Sequence, residues 1–375
     1  MAKTVYINKI SKYLPGKPIS NEEMEEYLGY VSNKPSRSKA IILRNNGIKQ
    51  RYYAIDKEGN LLENNAQLTA KAILQLGINP ENISYLACGT TSPDQYLPAH
   101  ANMVHGIIGG NNMEVSSHSG SCLSGFHALK MAYLNITAGF HSSAVATGSE
   151  LFSKNFRHEF FEEEAAKLIE LEKQPYIAFE QDFLRWMLSD GASALLLDEK
   201  PNADGLSLRI DWMDAKSFAH ELETCMYIAG EKVGKELKSY KEFAPHEWLE
   251  KSMFAIKQDT RLLGEYIIKK GGEYTAEIAK KYNINPNEID WLLPHISSMF
   301  FYEKMQKIYE EVGFTIPTEK WFTNLTTVGN LGSAAFMFIM EELFNSGKLK
   351  KGQKILVMIP ESARFAYGYI HLTVV

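Results

Sequence analysis

The sequence predicts an α/β protein built from two similar halves, and two internal repeats support that class. The segment INPENISYL at residues 78–86 returns as INPNEIDWL at residues 284–292, which is 206 positions later (284 − 78). Each copy follows a helix-like stretch and runs into an apolar, strand-like segment. Both therefore predict a helix, a turn and a strand in that order.

The second repeat joins two loops that precede apolar helices. Placing Cys122 on Asn330 gives an offset of 208 positions (330 − 122). The glycines that end the two helices, Gly139 and Gly347, have the same offset. Strand-like segments follow both helices, so a loop–helix–strand unit is duplicated as well.

Together the repeats predict one half over residues 1–204 and another over residues 205–375. Cys122 and Asn330 occupy equivalent loops of the two halves. His295 follows the strand of the second INP repeat. A pseudo-twofold arrangement of the halves would bring these loops to one central cleft.

The composition is that of an ordinary globular protein. Apolar residues make up 45% and charged residues 23% of the chain, so a large core can form and disorder is excluded. The formal net charge of -5 shows no excess of basic residues of the kind that nucleic-acid-binding proteins have. No run approaches the roughly 20 apolar residues of a membrane helix, and the start, MAKTVYINKI, lacks the apolar segment of a signal peptide.

The three cysteines, Cys88, Cys122 and Cys225, indicate a reducing compartment. Their number is odd and their spacing wide, so they predict no disulfide framework, and no CxxC pair indicates zinc. His100 and His105 are five residues apart, and HEFFE does not match the HExxH pattern. We therefore expect a cytoplasmic protein without a metal or a bound cofactor.

Two charged segments separate the repeated units. Residues 157–174 are predicted to form a charged helix, and residues 231–273, rich in Lys and Glu, are predicted to be mostly helical. One interpretation is that both are solvated surface helices. The other is that they form a cap over the substrate entrance.

Cys122 is the candidate nucleophile because it opens an apolar helix. A thiol at a helix N-terminus feels the positive end of the helix dipole, which favours the reactive thiolate. Its backbone N–H can also face a developing oxyanion. In isolation, the same placement is equally consistent with a buried core cysteine.

His295 and Asn330 are candidate partners of that cysteine. His295 ends an apolar strand, where a histidine is more often a satisfied structural group. Asn330 precedes a buried helix, where an asparagine is ordinarily a cap or a turn residue. The two residues become candidates only together with Cys122, because the duplication places all three at one cleft.

Seven short motifs follow one another along nearly the whole chain: NGIKQR (46–51), TTSPD (90–94), SCLSGF (121–126), GSE (148–150), SDGA (189–192), PH (294–295) and GNLGSAA (329–335). In this order they resemble the motifs of the β-ketoacyl-acyl-carrier-protein synthase III family, in the thiolase superfamily.

The resemblance implies a thiolase fold, in which duplicated βαβαβ halves form a five-layer αβαβα arrangement. It implies that Cys122 takes an acyl group from an acyl-CoA or an acyl carrier protein. His295 and Asn330 then donate N–H groups to the enolate oxygen of a second thioester, whose carbon attacks the acyl group. The resemblance also implies a homodimer in which a strand around residues 142–148 pairs across the twofold and Leu97 lines the neighbour's acyl pocket.

Departures from the family pattern concern the surfaces that handle thioesters. Phe300 lies in a segment where the family commonly has a basic residue, and Ser362-Ala363-Arg364 replaces a glycine-rich loop. The tryptophan that stacks on the CoA adenine in housekeeping members is missing. We therefore predict substrate contacts at Leu97, Phe300 and Arg364.

Residues 22–53 and 360–365 resemble most the ketosynthases of dialkylresorcinol and flexirubin-type pathways. Those enzymes join a β-ketoacyl thioester to a second acyl thioester and cyclise the product to a cyclohexanedione. Three alternatives stay open: a fatty-acid-initiating synthase III that uses a malonyl-acyl carrier protein, a cysteine thioester hydrolase, and a non-catalytic partner subunit. The last usually lacks the nucleophile, which is present here.

Overall fold

One mixed β-sheet runs through the molecule, of which the computed structural model describes residues 3–165 and 183–375. In spatial order its strands are β13 (Trp291–Pro294), β14 (Lys354–Glu361), β15 (Ala366–Val374), β8 (Leu208–Ser217), β1 (Tyr6–Tyr13), β7 (Gly191–Asp198), β6 (Ser143–Glu150), β4 (Tyr85–Thr90) and β5 (Glu114–Ser119). Three two-stranded pairs lie outside it: β2 (Ile19–Ser20) with β3 (Gln50–Arg51), β9 (Met226–Tyr227) with β12 (Lys257–Gln258), and β10 (Gly230–Val233) with β11 (Glu236–Ser239).

The α-helices of the described residues are α1 (Met24–Leu28), α2 (Lys39–Asn46), α3 (Asn65–Leu74), α4 (His100–Ile108), α5 (Ser124–Ala138), α6 (Pro245–Glu250), α7 (Thr260–Lys281), α8 (Tyr302–Glu311), α9 (Leu325–Val328) and α10 (Ala335–Phe344). None of these helices is long and apolar enough to cross a membrane.

The sheet repeats one pattern on its two sides. β4 and β6 run parallel next to antiparallel β7, and β13 and β14 run parallel next to antiparallel β15. The two sides join where β1 pairs with β8. The predicted helix–turn–strand repeat is confirmed, because short 3-10 turns at Pro80–Asn82 and Pro286–Glu288 link α3 to β4 and α7 to β13.

The helices and the two sides of the sheet form five layers, so the predicted αβαβα arrangement is confirmed. Three large apolar cores lie between these layers. One core lies between α3, α4 and one side of the sheet, and another lies between α7, α8 and the other side. The middle core contains α5 and α10, packed between the two sides. The helix starts approach closely in this middle layer, because a Cβ on Gly125 would lie 2.3 Å from the Ser333 carbonyl oxygen.

The two charged segments match their prediction in part, since residues 162–165 and much of 231–273 are helical. Residues 231–273 contain α6 and the start of α7, but they open with the β10–β11 hairpin rather than with a helix. Gly234 adopts a φ of 64° in the two-residue turn, which is the backbone conformation that tight hairpins require. Of residues 157–174, the structure describes 157–165, which include a 3-10 turn at His158–Phe160. Residues 166–174 of the predicted helix lie outside the described residues.

The free edge of the sheet is β5, not β6. The prediction that residues 142–148 pair across a twofold is wrong, because β6 already pairs with β4 on one side and with β7 on the other. Among residues 3–165 and 183–375, β5 pairs with β4 alone. Apolar side chains are exposed elsewhere in the same half, at Leu97 (85%) and Phe140 (78%).

Candidate active site

Cys122 lies in the short turn that links β5 to α5. The Ser124 N–H donates to the Ser121 carbonyl oxygen at 2.9 Å, which closes the turn just before the helix. Cys122 is a free thiol and is 8% exposed. The Ser121 hydroxyl lies 3.8 Å from its Sγ. The predicted position of the cysteine at a helix start is therefore confirmed.

His295 follows β13 and is held there by the neighbouring strand. Its backbone N–H donates to the Met358 carbonyl oxygen of β14 at 2.8 Å, which extends the parallel pairing by one residue. The side chain is buried. Burial lowers the pKa of His295 to about 4, so the imidazole is neutral near pH 7 and one ring nitrogen carries a proton that it can donate.

Asn330 is fixed on three sides in the loop between α9 and α10. Its N–H donates to the Met187 carbonyl oxygen at 3.0 Å, and its carbonyl oxygen accepts from the Ser189 N–H at 2.9 Å. Its side-chain Oδ1 accepts from the Gly332 N–H at 3.0 Å. The Nδ2 group is therefore the part of this amide that can donate to a ligand.

One cavity of about 550 Å³ brings the three residues together. Cys122, His295 and Asn330 come from three separate elements, and all of them line its wall. The remaining lining is mainly apolar: Phe152, Leu184, Met187, Leu188, Met226, Ile256, Leu263, Ile267 and Pro360, with Thr91, Ser121, Gln258, Ser297, Gly332 and Ser362 as the other members. This convergence is what the duplicated loops predict.

The electrostatics of Cys122 differ from the prediction. The helix-dipole argument predicts a lowered thiol pKa, but burial raises the pKa of Cys122 to about 12, and the charges of Glu361 and Glu150 add to the increase. Desolvation and nearby carboxylates oppose the thiolate more than the helix N-terminus favours it. The resting nucleophile is therefore a thiol.

Glu150, at the end of β6, is a buried carboxylate that sequence reasoning did not select. It accepts from the Thr91 hydroxyl at 2.6 Å, the Ser92 hydroxyl at 2.7 Å and the Ser333 N–H at 2.9 Å. The Thr91 N–H is a longer contact at 3.3 Å. The carboxylate thus ties the loops of both halves together beneath the cavity.

Glu361, at the end of β14, is the second carboxylate that was missed. Its Oε2 accepts from the Leu123 N–H at 3.0 Å. Burial raises the pKa of Glu361, and hydrogen bonds from the Leu123 and Ser121 backbones oppose that shift. Strand alternation was the available signal, since Ile355, Val357 and Ile359 face the middle core and Glu361 continues that face.

The three predicted substrate contacts lie away from this cavity. Leu97 is exposed in the loop between β4 and α4, and Phe300 is 48% exposed with the Lys304 ammonium 3.8 Å from its ring centre. Arg364 donates through Nε to the Leu222 carbonyl oxygen at 3.2 Å. Pro360 and Ser362, from the same segment as Arg364, line the cavity instead.

A second cavity of about 450 Å³ opens beside the first. The two share Ile267, His295, Ser297 and Pro360 as lining residues. The rest of its wall is mostly apolar and comes from α7, α8 and the outer face of β14 and β15: Ile268, Gly271, Gly272, Thr275, Ile296, Phe301, Met305, Ile308, Tyr309, Met358, Tyr367 and Tyr369. The sequence did not indicate this cavity.

Comparison with known proteins agrees with the geometry. Residues 279–359 match the family model described as 3-oxoacyl-[acyl-carrier-protein] synthase III, C terminal. A β-ketoacyl-[acyl-carrier-protein] synthase III of Clostridium perfringens is 25% identical over 346 residues, covering 92% of each chain.

Two solved structures share the fold. AbyA1, described as a tetronic acid condensing enzyme, superposes with a TM-score of 0.74 and 16% identity, covering 98% of this chain and 99% of its own. Xanthomonas campestris OleA, solved with lauric acid and lauroyl-CoA, superposes with a TM-score of 0.72 and 17% identity over 100% of both chains.

Proposed function

Because the chain belongs to the β-ketoacyl-acyl-carrier-protein synthase III-like ketosynthases of the thiolase superfamily, which are condensing acyltransferases, we propose that it joins a β-ketoacyl thioester to a second acyl thioester. The acyl group is held on Cys122 during the reaction. The product then closes to a dialkyl-1,3-cyclohexanedione that still carries the thioester carbonyl, and hydrolysis of the thioester with loss of CO2 leaves the skeleton of a dialkylresorcinol precursor.

In the first half-reaction, the Cys122 sulfur attacks the thioester carbonyl of an acyl-CoA or acyl-carrier substrate. The thiol proton leaves with the departing CoA or phosphopantetheine thiol, and an acyl-Cys122 thioester remains. The backbone N–H of Cys122 would donate to the tetrahedral oxyanion. No bound cofactor takes part, since the thioesters are the substrates.

In the second half-reaction, the β-ketoacyl thioester enters and its thioester oxygen receives hydrogen bonds from His295 and the Asn330 Nδ2 group. Both donors are neutral, so they stabilise negative charge most as the enolate forms. The enolate carbon attacks the acyl carbonyl carbon, a carbon–carbon bond forms, and the Sγ–acyl bond breaks. The cavity that Cys122, His295 and Asn330 share supports these roles.

The observation that carries the proposal is the second cavity beside His295. Its mostly apolar wall suits the tail of a second acyl chain, and the residues that it shares with the first cavity would put that tail next to the enolate position. A malonyl extender has no such tail to bury. OleA, a fold neighbour, was solved with lauric acid and lauroyl-CoA, which agrees with a site of this kind for long chains.

A second candidate function is fatty-acid initiation with a malonyl-acyl carrier protein. The name of the Clostridium perfringens relative favours it. A competition experiment separates the two: purified enzyme acylated on Cys122 receives equal amounts of a malonyl and a β-ketoacyl thioester, and mass spectrometry identifies the products. The proposal expects products of the β-ketoacyl substrate, whereas a simple 3-oxoacyl product alone would establish initiation.

Hydrolysis and a non-catalytic role are less well supported. A hydrolase has no second acyl chain to hold, whereas an apolar cavity lies beside His295. A non-catalytic subunit has no need of a free cysteine in a cavity that it shares with His295 and Asn330.

We also propose that the enzyme is a homodimer formed through β5. The edge of β5 that faces away from β4 has no strand partner within the described residues, and an antiparallel copy of itself would satisfy both edges. Leu97, 85% exposed, would then contact the second copy. Light scattering that finds a stable, active monomer would contradict this assembly.

A further inference from the structure

The two buried carboxylates hold equivalent positions in the two halves but have different surroundings. Glu150 ends β6, and Glu361 ends β14, the strands that follow α5 and α10. Each accepts a backbone N–H from the helix start of the other half: Glu150 from Ser333 and Glu361 from Leu123. The pseudo-twofold axis that relates the two halves therefore also relates Glu150 to Glu361.

Glu150 is fully occupied by structural partners. The hydroxyls of Thr91 and Ser92 both donate to it. The residues 206 positions further on are Ser297 and Ser298, and within the described residues neither donates to Glu361. The Ser298 hydroxyl points instead to the Asn45 carbonyl oxygen, at 3.4 Å. Glu361 therefore lacks the hydroxyl donors that fix its counterpart.

Glu361 also lies next to the reacting atoms. Its Oε2 is 3.0 Å from the nitrogen of Leu123, the residue that follows the nucleophile. Its charge acts on the Cys122 thiol. Its chain neighbours Pro360 and Ser362 both line the Cys122 cavity, and its own side chain is partly accessible. Glu361 itself is not among the residues that line the cavity, so its carboxylate must turn from the Leu123 N–H toward the sulfur to reach a substrate carbon there.

The proposed reaction needs a base at this place. A β-ketoacyl thioester has no carboxylate to lose, so its enolate forms by removal of an α-proton. Cys122 carries the acyl group at that stage, and His295 and Asn330 donate to the enolate oxygen. Among the described residues, Glu361 is the ionisable group next to the sulfur that accepts from backbone N–H groups, those of Leu123 and Ser121, and from no side chain.

We infer that Glu361 removes the α-proton of the second thioester, an inference that rests on the proposed β-ketoacyl substrate. The C–H bond breaks, the proton moves to a Glu361 oxygen, and the electron pair forms the enolate. Negative charge passes from the carboxylate to the enolate oxygen, so the net charge of the cavity does not change. A neutral base would instead create a separated ion pair, which costs more in a desolvated site.

The cycle closes without any further reactant. When the enolate carbon attacks the acyl carbonyl, the Sγ–acyl bond breaks and Cys122 leaves as a thiolate. The thiolate takes the proton from Glu361, because burial raises the pKa of the Cys122 thiol to about 12 and a carboxylic acid is ordinarily a stronger acid than a thiol. Both groups return to their resting forms.

The test compares Glu361→Gln with Glu361→Asp and with the exposed control Glu288→Gln, whose side chain pairs with Lys354 on the surface. Four quantities are measured on each folded protein: acylation of Cys122 by intact mass, alkylation of Cys122 by iodoacetamide, deuterium uptake at the α-carbon of a β-ketoacyl thioester above the uncatalysed rate, and condensation.

Glu361→Gln should lose about a hundredfold or more in both deuterium uptake and condensation, the size of a general-base contribution. Its acylation should persist and its alkylation should become faster, because the negative charge that disfavours the thiolate is gone. Glu361→Asp should recover part of the uptake. Glu288→Gln should match the wild type in all four measurements.

Wild-type uptake in Glu361→Gln would overturn the inference, and so would a loss of acylation in parallel with condensation, which would indicate a purely structural cap of α5. If the wild type itself neither exchanges nor condenses a β-ketoacyl thioester, the proposed function fails first. If the wild type does both and Glu361→Gln does them equally well, only the role of Glu361 fails.

Discussion

The two halves of the molecule carry the same architecture and have diverged at the same few positions. The loop at the start of α5 presents Cys122, the proposed nucleophile, whereas the loop at the start of α10 presents the amide of Asn330. Glu150, which caps the α10 start, accepts from two hydroxyls and a backbone N–H. Glu361, which caps the α5 start, accepts from the backbones of Leu123 and Ser121. Under the proposed mechanism, equivalent backbones therefore serve structure in one half and chemistry in the other.

The edges of the two halves differ in the same way. The first half ends in the six-residue strand β5, whereas the corresponding edge of the second half is reduced to a single bridge between Leu292 and Trp321. Trp321 is covered by the rings of Tyr302 and Tyr309 at 5.0 and 6.0 Å. Within the described residues, one half therefore keeps an open edge, which the proposed dimer would use, and the other closes its edge with α8.

Replacing the nucleophile is expected to have the largest effect. Cys122→Ala should give no acyl adduct by intact-protein mass, because the cavity then has no thiol. Cys88→Ala and Cys225→Ala are the matched controls and should acylate normally, since both thiols are fully buried away from the cavity lining. An acyl group mapped to Cys88 or Cys225 would refute the assignment.

Removing an oxyanion donor should affect only the second half-reaction. His295→Ala and Asn330→Ala should still accept an acyl group on Cys122, but condensation should fall by about a hundredfold or more. Single-turnover acylation and product formation are measured separately. A folded variant that lost acylation would show that the residue acts in the first half-reaction instead.

The comparison of the two glutamates predicts that their replacement by glutamine lowers the free energy of unfolding by different amounts. Glu150→Gln should lower the free energy of unfolding by about 2 kcal/mol or more, because its amide nitrogen would face donors from Thr91, Ser92 and Ser333. Glu361→Gln should lower it by a smaller amount, about 1 kcal/mol, since only backbone N–H contacts from Leu123 and Ser121 are affected. Urea denaturation midpoints check this, and equal losses would contradict the division between structure and chemistry.

The pH dependence of condensation should show no break from His295 near neutrality. Burial lowers the pKa of His295 to about 4, so the imidazole stays neutral from pH 7 down to about pH 5 and protonates only below that range. The unfolded chain binds this proton more readily than the folded protein does. The part of the folding stability that depends on a neutral His295 therefore declines as the pH falls from about 6.5 to about 4. A rate limb with a pKa near 6.5 that vanished in His295→Asn would contradict this.

Narrowing the second cavity should have the smallest effect, because it should change only the preference for the chain length of the second substrate. Met305→Trp places a larger ring in the wall formed by α8 and should reduce kcat/KM for long second substrates by about tenfold or more relative to short ones, as steric pocket changes do. Leu249→Trp, at an exposed site on α6, is the control. Equal loss for all chain lengths would show that the cavity does not hold the tail.

The fold was predictable because each structural unit occurs twice in the sequence. The INP turns and the paired glycines at residues 139 and 347 fix where helices end, and strands buried on both faces leave continuous apolar runs. The meeting of Cys122, His295 and Asn330 at one cavity was predictable because they lie in equivalent loops of the two halves. The β10–β11 hairpin was missed because its charged residues have no alternating apolar pattern.

The features of the site that were missed depend on contacts between distant segments. Glu361 and the start of α5 are 238 residues apart, and no local pattern marks such a pair. The raised pKa of Cys122 likewise depends on burial by both halves, which a helix-dipole argument does not include. The second cavity arises between α7, α8 and the sheet, and is a property of packing rather than of any motif.

The most direct measurement is product identification with purified enzyme, a β-ketoacyl thioester and either a 2-enoyl or a saturated acyl partner. Closure to a ring needs the electrophilic β-carbon of the enoyl chain, so mass spectrometry should find a cyclic dione only with the enoyl partner and none with Cys122→Ala. An enzyme that ignores β-ketoacyl thioesters and makes only simple 3-oxoacyl chains from malonyl thioesters would contradict the account.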